Sequence, residues 1–296
     1  MRTQVSLECP AKVNLSLRVH RRRPDGYHAI STVLQTIALC DRLTVSRTEP
    51  EAPLRLDVPG GGAPADDSNL VMAAARTFFG AIGEPARGVR FELRKRIPAA
   101  SGLGGGSSDA AGTLLALQEL WGEPLSTDRL HTAAAAVGSD VPFFLVGGTV
   151  LATGRGERLR LMDDVAPTPV IVAAPAMEVS TTAVYSHWSR PGGSDAEFGE
   201  EELLPPPSMR RETAQWLRGN DLEPIVRRLH PEVDRLLVGL RAATLDGSDR
   251  GPQLSGAGGA AFGVGNWKDA ERAVAGHNVR LFRTSTLPGR SRPERS

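Results

Sequence analysis

The sequence predicts a fold that mixes β-strands with α-helices, and two adjoining patterns support this. Between Val89 and Arg94, apolar and polar residues alternate, which is the period of a half-buried strand. From Ala110 to Trp121, apolar residues recur at helical spacing, and Gly122 stands where a helix would end. The chain has 296 residues, which is enough for two domains of ordinary size or for one large domain.

A glycine-rich stretch, Pro98 to Gly112 (PAASGLGGGSSDAAG), joins this strand to this helix. The free N–H groups and the dipole of a helix N-terminus suit an anion. Glycines let the backbone approach a phosphate without side chains in the way. We therefore interpret the stretch as a phosphate-binding loop. A tight strand-to-helix turn without a ligand is the alternative.

The remaining elements follow from the same two periods and from turn and cap signals. Residues 189–208 are acidic and rich in proline and glycine, and we expect them to be the least ordered interior segment. A second glycine turn spans residues 254–264. The other predicted elements are strands at residues 13–19, 41–45, 54–58 and 148–152, an apolar run at 170–174, and helices that follow Asn69 and span residues 126–137, 221–229, 233–242 and 269–275.

Composition excludes several classes of function. The 35 basic and 34 acidic residues nearly cancel, which gives no general attraction to nucleic acid. No apolar window reaches the roughly 18 residues of a membrane span, and the first residues lack the apolar core of a signal peptide. Only two cysteines, Cys9 and Cys40, are present, which suits a reducing compartment. We expect a cytoplasmic protein with neither nucleic-acid nor membrane partners.

Lysine is scarce in this chain, since only Lys12, Lys95 and Lys268 occur among 35 basic residues. Where an arginine-biased chain keeps a lysine, a compact ammonium suits the site better than a planar guanidinium. We apply this argument to Lys12, whereas chance explains Lys268 in a predicted surface helix. The arginine runs at residues 21–23 and 94–96 have two interpretations: they attract phosphates, or they form solvent-exposed faces.

Better-known phosphate and metal motifs do not occur. No glycine precedes a lysine, so a Walker A loop is excluded. The loop reads GLGGGSS rather than GxGxxG, and no HRD or DFG motif indicates a protein kinase. Neither paired CxxC nor HExxH is present to bind zinc.

Three separated stretches together resemble the three motifs of the GHMP small-molecule kinases. They are PAKVNLSLRV at residues 10–19, PAASGLGGGSSDAA at residues 98–111 and LSGAGGAAF at residues 254–262. The extra glycine of the middle motif, RPDGYH at residues 23–28 and VGSDVPFF at residues 137–144 resemble the branch that phosphorylates 4-diphosphocytidyl-2-C-methyl-D-erythritol in the non-mevalonate isoprenoid route. The resemblance runs from about residue 9 to about residue 265.

The resemblance implies the two-domain α+β GHMP kinase fold, with domains at residues 1–158 and 159–296 and the active site in the cleft between them. It implies ATP and Mg²⁺ as cofactors and a small-molecule substrate, in a monomer or a homodimer. Other GHMP kinases, of the mevalonate or homoserine type, and a non-catalytic nucleotide-binding module of the same fold are the alternatives. RPDGYH argues against the first alternative, and the presence of Lys12 and Asp140 argues against the second.

Site residues follow from the resemblance position by position. Asp140 matches the catalytic aspartate that accepts the proton of the substrate hydroxyl, and Lys12 matches the lysine that keeps it ionised and offsets phosphoryl charge. Tyr27 is expected to stack on the cytosine, and His28 to bind its edge. Tyr185 is either the second aromatic of that stack or a core residue. The other expected substrate contacts are Asn14, Gly256 and Gly258.

The expected nucleotide contacts fall in two groups, while the metal ligands are not identified from the sequence. Ser107 or Ser108 is able to reach the phosphates or a magnesium ion. Asn69, Leu70 and Lys95 match the adenine pocket. The phosphate loop comprises Pro98, Ala99, Ala100, Ser101, Gly102, Leu103, Gly104, Gly105, Gly106, Ser107 and Ser108.

Overall fold

The computed structural model describes residues 2–188, 203–205, 207–243 and 250–290. The strands are β1 (Gln4–Arg22), β2 (His28–Arg47), β3 (Arg55–Asp57), β4 (Val89–Arg94), β5 (Thr149–Gly154), β6 (Arg158–Leu161), β7 (Pro169–Pro175), β8 (Gly219–Asn220), β9 (Arg250–Leu254), β10 (Ala261–Val264) and β11 (Val279–Ser285). The helices are α1 (Leu70–Ile82), α2 (Gly105–Leu120), α3 (Thr127–Val137), α4 (Val141–Val146), α5 (Thr181–Ser186), α6 (Glu223–Leu229), α7 (Pro231–Ala242) and α8 (Ala270–Ala273).

The chain forms two compact units that interleave along the sequence. The first comprises residues up to 11, 39–99 and 104–146, and the second comprises residues 12–38, 100–103 and 147 onward. Both long strands, β1 and β2, therefore contribute one end to each unit. The division into domains at residues 1–158 and 159–296 stays a prediction.

In the first unit a small sheet is covered by helices. The end of β2 pairs antiparallel with β4 from Arg42 opposite Arg94, and β3 pairs parallel with β4. Helix α2 lies so close to this sheet that a Cβ at Gly112 would be 2.5 Å from the Cys9 sulfur of β1. Helix α1 packs on α2 and α3. The largest fully buried side chains here are Phe78, Phe79, Phe91, Phe143 and Phe144.

The second unit contains two groups of strands and an apolar core. The start of β2 pairs antiparallel with β5 from Ile30 opposite Gly154, and β5 pairs with β6. A separate four-stranded antiparallel sheet has the order β11-β7-β10-β9. Buried side chains of α6 and α7 and of strands β1, β7, β9 and β10, with Trp267, form the core.

Side chains that the sequence marks as caps begin two helices as predicted. Asn69 accepts a hydrogen bond from the N–H of Val71 at the start of α1, and Ser126 accepts one from Arg129 at the start of α3. The strand predicted at residues 41–45 is part of the 20-residue β2. Residues 189–202 and 206 of the segment expected to be least ordered lie outside the described residues.

Among the helices of the described ranges, none combines the length and the hydropathy that crossing a lipid bilayer requires.

Candidate active site

The glycine loop joins β4 to α2, as the sequence predicts. Gly104 is the N-cap of α2 and has φ 74°, a left-handed conformation that favours glycine, and no side chain caps this helix end. Gly102 also has a positive φ, of 85°. The first N–H groups of a 16-residue helix therefore face the loop without a side-chain acceptor.

Ser108 supplies an unusual hydroxyl in the first turns of α2. Ser108 is 2 % exposed, and its Oγ has no hydrogen-bond partner among the described residues. A buried hydroxyl without a partner costs free energy, so such atoms are uncommon unless a ligand or metal completes them. Ser107 is half-buried by comparison.

The second glycine turn packs directly on the phosphate loop within the second unit. The N–H of Ala260 donates to the Ser101 oxygen at 3.0 Å. A Cβ at Gly258 would lie 2.1 Å from the Ser101 carbonyl, and one at Gly102 would lie 2.0 Å from the Ser255 oxygen. Backbone therefore meets backbone here, and neither glycine position has room for a side chain.

Lys12 lies against this pair of loops. Its Nζ donates to Asn14 Oδ1 and to the Gly102 oxygen, both at 2.6 Å, and its backbone N–H donates to the Leu103 oxygen at 2.9 Å. The residue is only 4 % exposed. Ser255 Oγ donates to the same Gly102 oxygen at 2.8 Å. The structure thus brings together Lys12, Asn14, the phosphate loop and the second glycine turn.

Several polar residues that sequence reasoning missed hold Asn14 in place. Asn14 Nδ2 donates to Thr32 Oγ1 at 2.8 Å, and Gln253 Nε2 donates to the main-chain carbonyl oxygen of Asn14 at 2.9 Å. Asn220 Nδ2 donates to the Gly256 oxygen at 2.7 Å. No local sequence signal marks Gln253 or Asn220, because their contacts join residues that are far apart along the chain.

Lys95 lies in a buried charge cluster of the first unit. Its Nζ donates to Asp41 Oδ2 at 2.5 Å and to Asp109 Oδ2 at 2.6 Å. Burial opposes the charge of Lys95, but the two carboxylates outweigh burial and raise its pKa. Burial raises the pKa of Asp109 to about 7, although Lys95 opposes this rise. The ammonium is committed to carboxylates, so an adenine contact by Lys95 would fall to its main chain.

The other two expected adenine-pocket residues lie at the start of α1. Both ends of the Asn69 side chain are hydrogen-bonded, since its Oδ1 caps the helix and its Nδ2 donates to the Pro64 oxygen at 2.7 Å. A Cβ at Gly106 would lie 3.5 Å from Leu70 Cδ1, so Leu70 lies close to the first turn of α2.

Asp140 stands between α3 and α4 and is half-buried. Within the described part of the chain its carboxylate has neither an ion pair nor a hydrogen bond from a protein group. Its oxygens are therefore available as proton acceptors. Asp140 belongs to the first unit and Lys12 to the second.

The expected base-binding side chains lie near the turn between β1 and β2. The rings of His28 and Tyr185 stack with centroids 5.8 Å apart and an interplanar angle of 25°. The Nδ1 of His28 is hydrogen-bonded to the His20 oxygen at 3.0 Å. Tyr27 is 59 % exposed, and the guanidinium of Arg155 lies 5.2 Å from the centroid of its ring. Sequence reasoning did not identify Arg155.

The chain is similar in sequence to known kinases. The family model described as GHMP kinases N terminal domain matches residues 69–148, which include the phosphate loop and Asp140. The 4-diphosphocytidyl-2-C-methyl-D-erythritol kinase of Moorella thermoacetica is 40 % identical over 274 residues, which cover 92 % of this chain and 93 % of that relative. The chain belongs to the 4-diphosphocytidyl-2-C-methyl-D-erythritol kinase family. This membership confirms the resemblance inferred from the motifs.

Further relatives agree with this membership. The kinase of the same name from Salinispora arenicola is 40 % identical over 280 residues, covering 90 % of this chain and 85 % of that relative. A crystal structure of 4-(cytidine 5'-diphospho)-2C-methyl-D-erythritol kinase matches with a TM-score of 0.77 at 36 % identity, over 95 % of this chain and 99 % of that one. The α+β GHMP kinase fold expected from the sequence is confirmed.

One structural neighbour shows how widely this fold is shared. The homoserine kinase of Cytophaga hutchinsonii matches with a TM-score of 0.72 over 98 % of this chain and 96 % of that one, but at only 17 % identity. At that identity the match concerns the fold alone.

Proposed function

We propose that this chain catalyses the ATP-dependent phosphorylation of the 2-hydroxyl of 4-diphosphocytidyl-2-C-methyl-D-erythritol, in the non-mevalonate isoprenoid pathway. The observation that carries the proposal is the buried ammonium of Lys12, which is held by Asn14 and by the phosphate loop. The chain's relatives named 4-diphosphocytidyl-2-C-methyl-D-erythritol kinase support the choice of substrate. Mevalonate-type and homoserine-type activities are disfavoured, because the homoserine kinase neighbour shares the fold at only 17 % identity.

In this proposal the phosphate loop, Pro98 to Ser108, binds the ATP phosphates through backbone N–H groups. The uncapped start of α2 supports this role, since an anion is favoured at a helix N-terminus. Asn69, Leu70 and the main chain of Lys95 form the adenine pocket. These three residues border the same loop and helix within the first unit.

The reaction is an in-line transfer with a loose transition state, in which the protein mainly positions the reactants. Asp140 accepts the proton of the substrate hydroxyl as that oxygen bonds to the γ-phosphorus. The bond from the γ-phosphorus to the β,γ-bridging oxygen breaks, and ADP leaves with its electron pair. Lys12 offsets negative charge on the transferred group.

Mg²⁺ is part of the proposal, and the residues present are compatible with it. The described residues form no cluster of three or more His, Cys, Asp or Glu side chains that would hold a metal. This suits a magnesium ion bound mostly by substrate phosphates and water, with few protein ligands. The partnerless Oγ of Ser108 is the candidate protein ligand. When bound, the ion would neutralise charge on the phosphate oxygens.

For the cytidyl group we propose stacking on Tyr27 and a hydrogen bond from its edge to His28. Tyr185, stacked on His28, would complete the aromatic site. It is also partly buried against the core of the second unit, which is the packing alternative for this residue. Asn14, Gly256 and Gly258 would contact the rest of the substrate. A cytoplasmic location, no nucleic-acid partner, and a monomeric or homodimeric state stay predictions.

The test is a coupled assay of ADP release with purified protein, ATP and the diphosphocytidyl substrate. We expect turnover with this substrate and none with mevalonate or homoserine. Turnover with one of the latter two and not with the first would overturn the assignment.

Asp140→Ala tests the mechanism in the same assay. We expect it to bind ATP normally and to lose transfer activity by about 10²- to 10⁴-fold. An essentially active Asp140→Ala would remove Asp140 from the mechanism.

A further inference from the structure

The buried charge cluster of Lys95, Asp41 and Asp109 has no part in the proposed chemistry. The Lys95 side chain is 7 % exposed, and those of Asp41 and Asp109 are 0 % and 2 % exposed. Burying charges costs free energy unless each is paired and hydrogen-bonded. Three such groups together therefore call for a function beyond filling space.

One carboxylate of the cluster holds the entrance of the phosphate loop. Asp41 Oδ1 accepts hydrogen bonds from the backbone N–H groups of Arg96, at 2.5 Å, and Ile97, at 2.9 Å. These are the last two residues before Pro98. The other oxygen of Asp41 accepts from Lys95.

The other carboxylate lies at the exit of the loop, in α2. Asp109 is four residues after Gly105, so both lie on one face of the helix. A Cβ at Gly105 would lie 3.2 Å from Lys95 Nζ and 3.0 Å from Ile97 Cγ2. The ammonium therefore lies directly against the first turn of α2, where an added Cβ would be a tight fit.

We propose that Lys95 is a positioning residue for the phosphate loop, because its ammonium ties the Asp41 that holds the loop entrance to the Asp109 at the loop exit. The tie sets the spacing between the two ends of the loop and so pre-orders the N–H groups that meet the nucleotide phosphates. This inference rests on the proposed binding of ATP by Pro98 to Ser108.

A pre-ordered loop has a distinctive binding signature. Without the tie, the loop must be ordered when the ligand binds, which weakens every contact made to phosphate but none made to the base. The loss should therefore grow with the number of phosphates on the ligand. A role of the Lys95 side chain at adenine would instead weaken all adenine ligands equally.

The experiment compares ATP, ADP and adenosine binding to the full chain by calorimetry, with adenosine measured by competition. For Lys95→Met we expect ATP affinity to fall about tenfold or more, ADP affinity to fall less, and adenosine affinity to stay within about twofold. The matched control is Arg90→Met, an exposed arginine of the preceding strand β4 that is paired with Asp57, which should leave all three affinities unchanged.

Two Asp109 variants keep the test decisive if Lys95→Met does not fold. Asp109→Leu removes the tie without leaving an unpaired carboxylate and should show the same order of losses. Asp109→Asn keeps an acceptor oxygen for Lys95 and should restore ATP affinity to within about twofold of the wild type.

Two outcomes would overturn the inference: equal losses for all three ligands, or unchanged ATP affinity in a folded Lys95→Met or Asp109→Leu. Failure of the proposed function looks different, since the wild-type chain itself would then fail to bind ATP or to phosphorylate the diphosphocytidyl substrate.

Discussion

Two buried lysines border the phosphate loop, and the acceptors of their described hydrogen bonds differ in charge. Lys12 donates to the amide oxygen of Asn14 and to the carbonyl oxygen of Gly102, both neutral groups. Lys95 donates to two carboxylates, those of Asp41 and Asp109. Both lysines are nearly inaccessible to solvent, so exposure does not distinguish them.

The difference separates an electrostatic role from a positioning role. Hydrogen bonds to neutral oxygens hold an ammonium in place without cancelling its charge, which suits a group that offsets charge on a phosphoryl oxygen. A pair of carboxylates neutralises the ammonium and uses it as a fixed link between segments of backbone.

The largest effect is expected where the two glycine loops meet beside Lys12. Alanine at Gly258 would place its Cβ 2.1 Å from the Ser101 carbonyl and 2.2 Å from the Gly102 nitrogen. Because these are backbone atoms, we expect Gly258→Ala to cost about 4 kcal/mol or more in unfolding free energy and to abolish activity. Chemical denaturation and the ADP-release assay measure both effects.

The control for that substitution is Gly80→Ala, in α1, where no atom lies within 4 Å of the added Cβ. It should keep full activity and gain about 0.5–1 kcal/mol in stability, since alanine favours helix. A Gly258→Ala variant with normal activity and stability would contradict the backbone contact that supports Lys12.

Next comes the pH dependence of the Lys95 cluster. The folded-state pKa of Asp109, about 7, lies above its ordinary value of 3.8, so the folded chain binds the extra proton. Stability from this group is full below about pH 4 and declines as pH rises to about 7. The decline should be on the order of 3 kcal/mol and should vanish in Asp109→Asn.

Denaturation at pH 5 and pH 8 measures that decline. Asp57→Asn changes a half-buried aspartate of the same unit whose pKa is lowered by Arg90 and Arg55, and it should leave the decline intact. A wild-type decline that persists unchanged in Asp109→Asn would show that another group titrates.

A smaller effect is expected from replacing the neutral Asn14 beside Lys12 with a carboxylate. Asn14→Asp places a carboxylate beside the ammonium, and so makes this site resemble the Lys95 cluster. We expect kcat to fall about 10- to 100-fold, because the ammonium is then neutralised and the hydrogen bond to Thr32 is lost. The ADP-release assay measures this loss, and an unchanged kcat would mean that the charge of Lys12 is irrelevant to transfer.

The smallest effect concerns Tyr27. Arg155 lies over its ring, and the tyrosine is 59 % exposed. We expect Arg155→Gln to raise KM for the diphosphocytidyl substrate about two- to fivefold, at constant KM for ATP, because an exposed cation–π contact contributes about 0.5–1 kcal/mol. If KM for ATP changed while KM for the diphosphocytidyl substrate did not, Arg155 would not act at the base site.

Local signals predicted much of the fold. The alternation at residues 89–94 and the glycine-to-helix transition placed β4, the loop and α2, and the caps Asn69 and Ser126 began helices where expected. Helix α4 was missed, because VPFF is short, apolar and contains proline. The length of β2 was also missed, because residues buried on both faces show no period of two.

The site was less predictable, because its contacts join distant residues. The scarcity of lysine predicted a functional role for Lys12. The family resemblance predicted that Lys95 lies in the adenine pocket. Nothing local links Lys95 to Asp41, 54 residues away, or Asn14 to Gln253, 239 residues away. Such pairs depend on strand register and loop packing, which a single sequence does not specify.

The most direct test of the contrast between the two lysines is a steady-state comparison of Lys12→Met and Lys95→Met in one ADP-release assay. We predict that Lys12→Met lowers kcat about 10²- to 10³-fold with little change in KM for ATP. Lys95→Met should instead raise KM for ATP about tenfold or more and change kcat much less. The same pattern in both variants, or the reverse assignment, would contradict the division between charge stabilisation at Lys12 and loop positioning at Lys95.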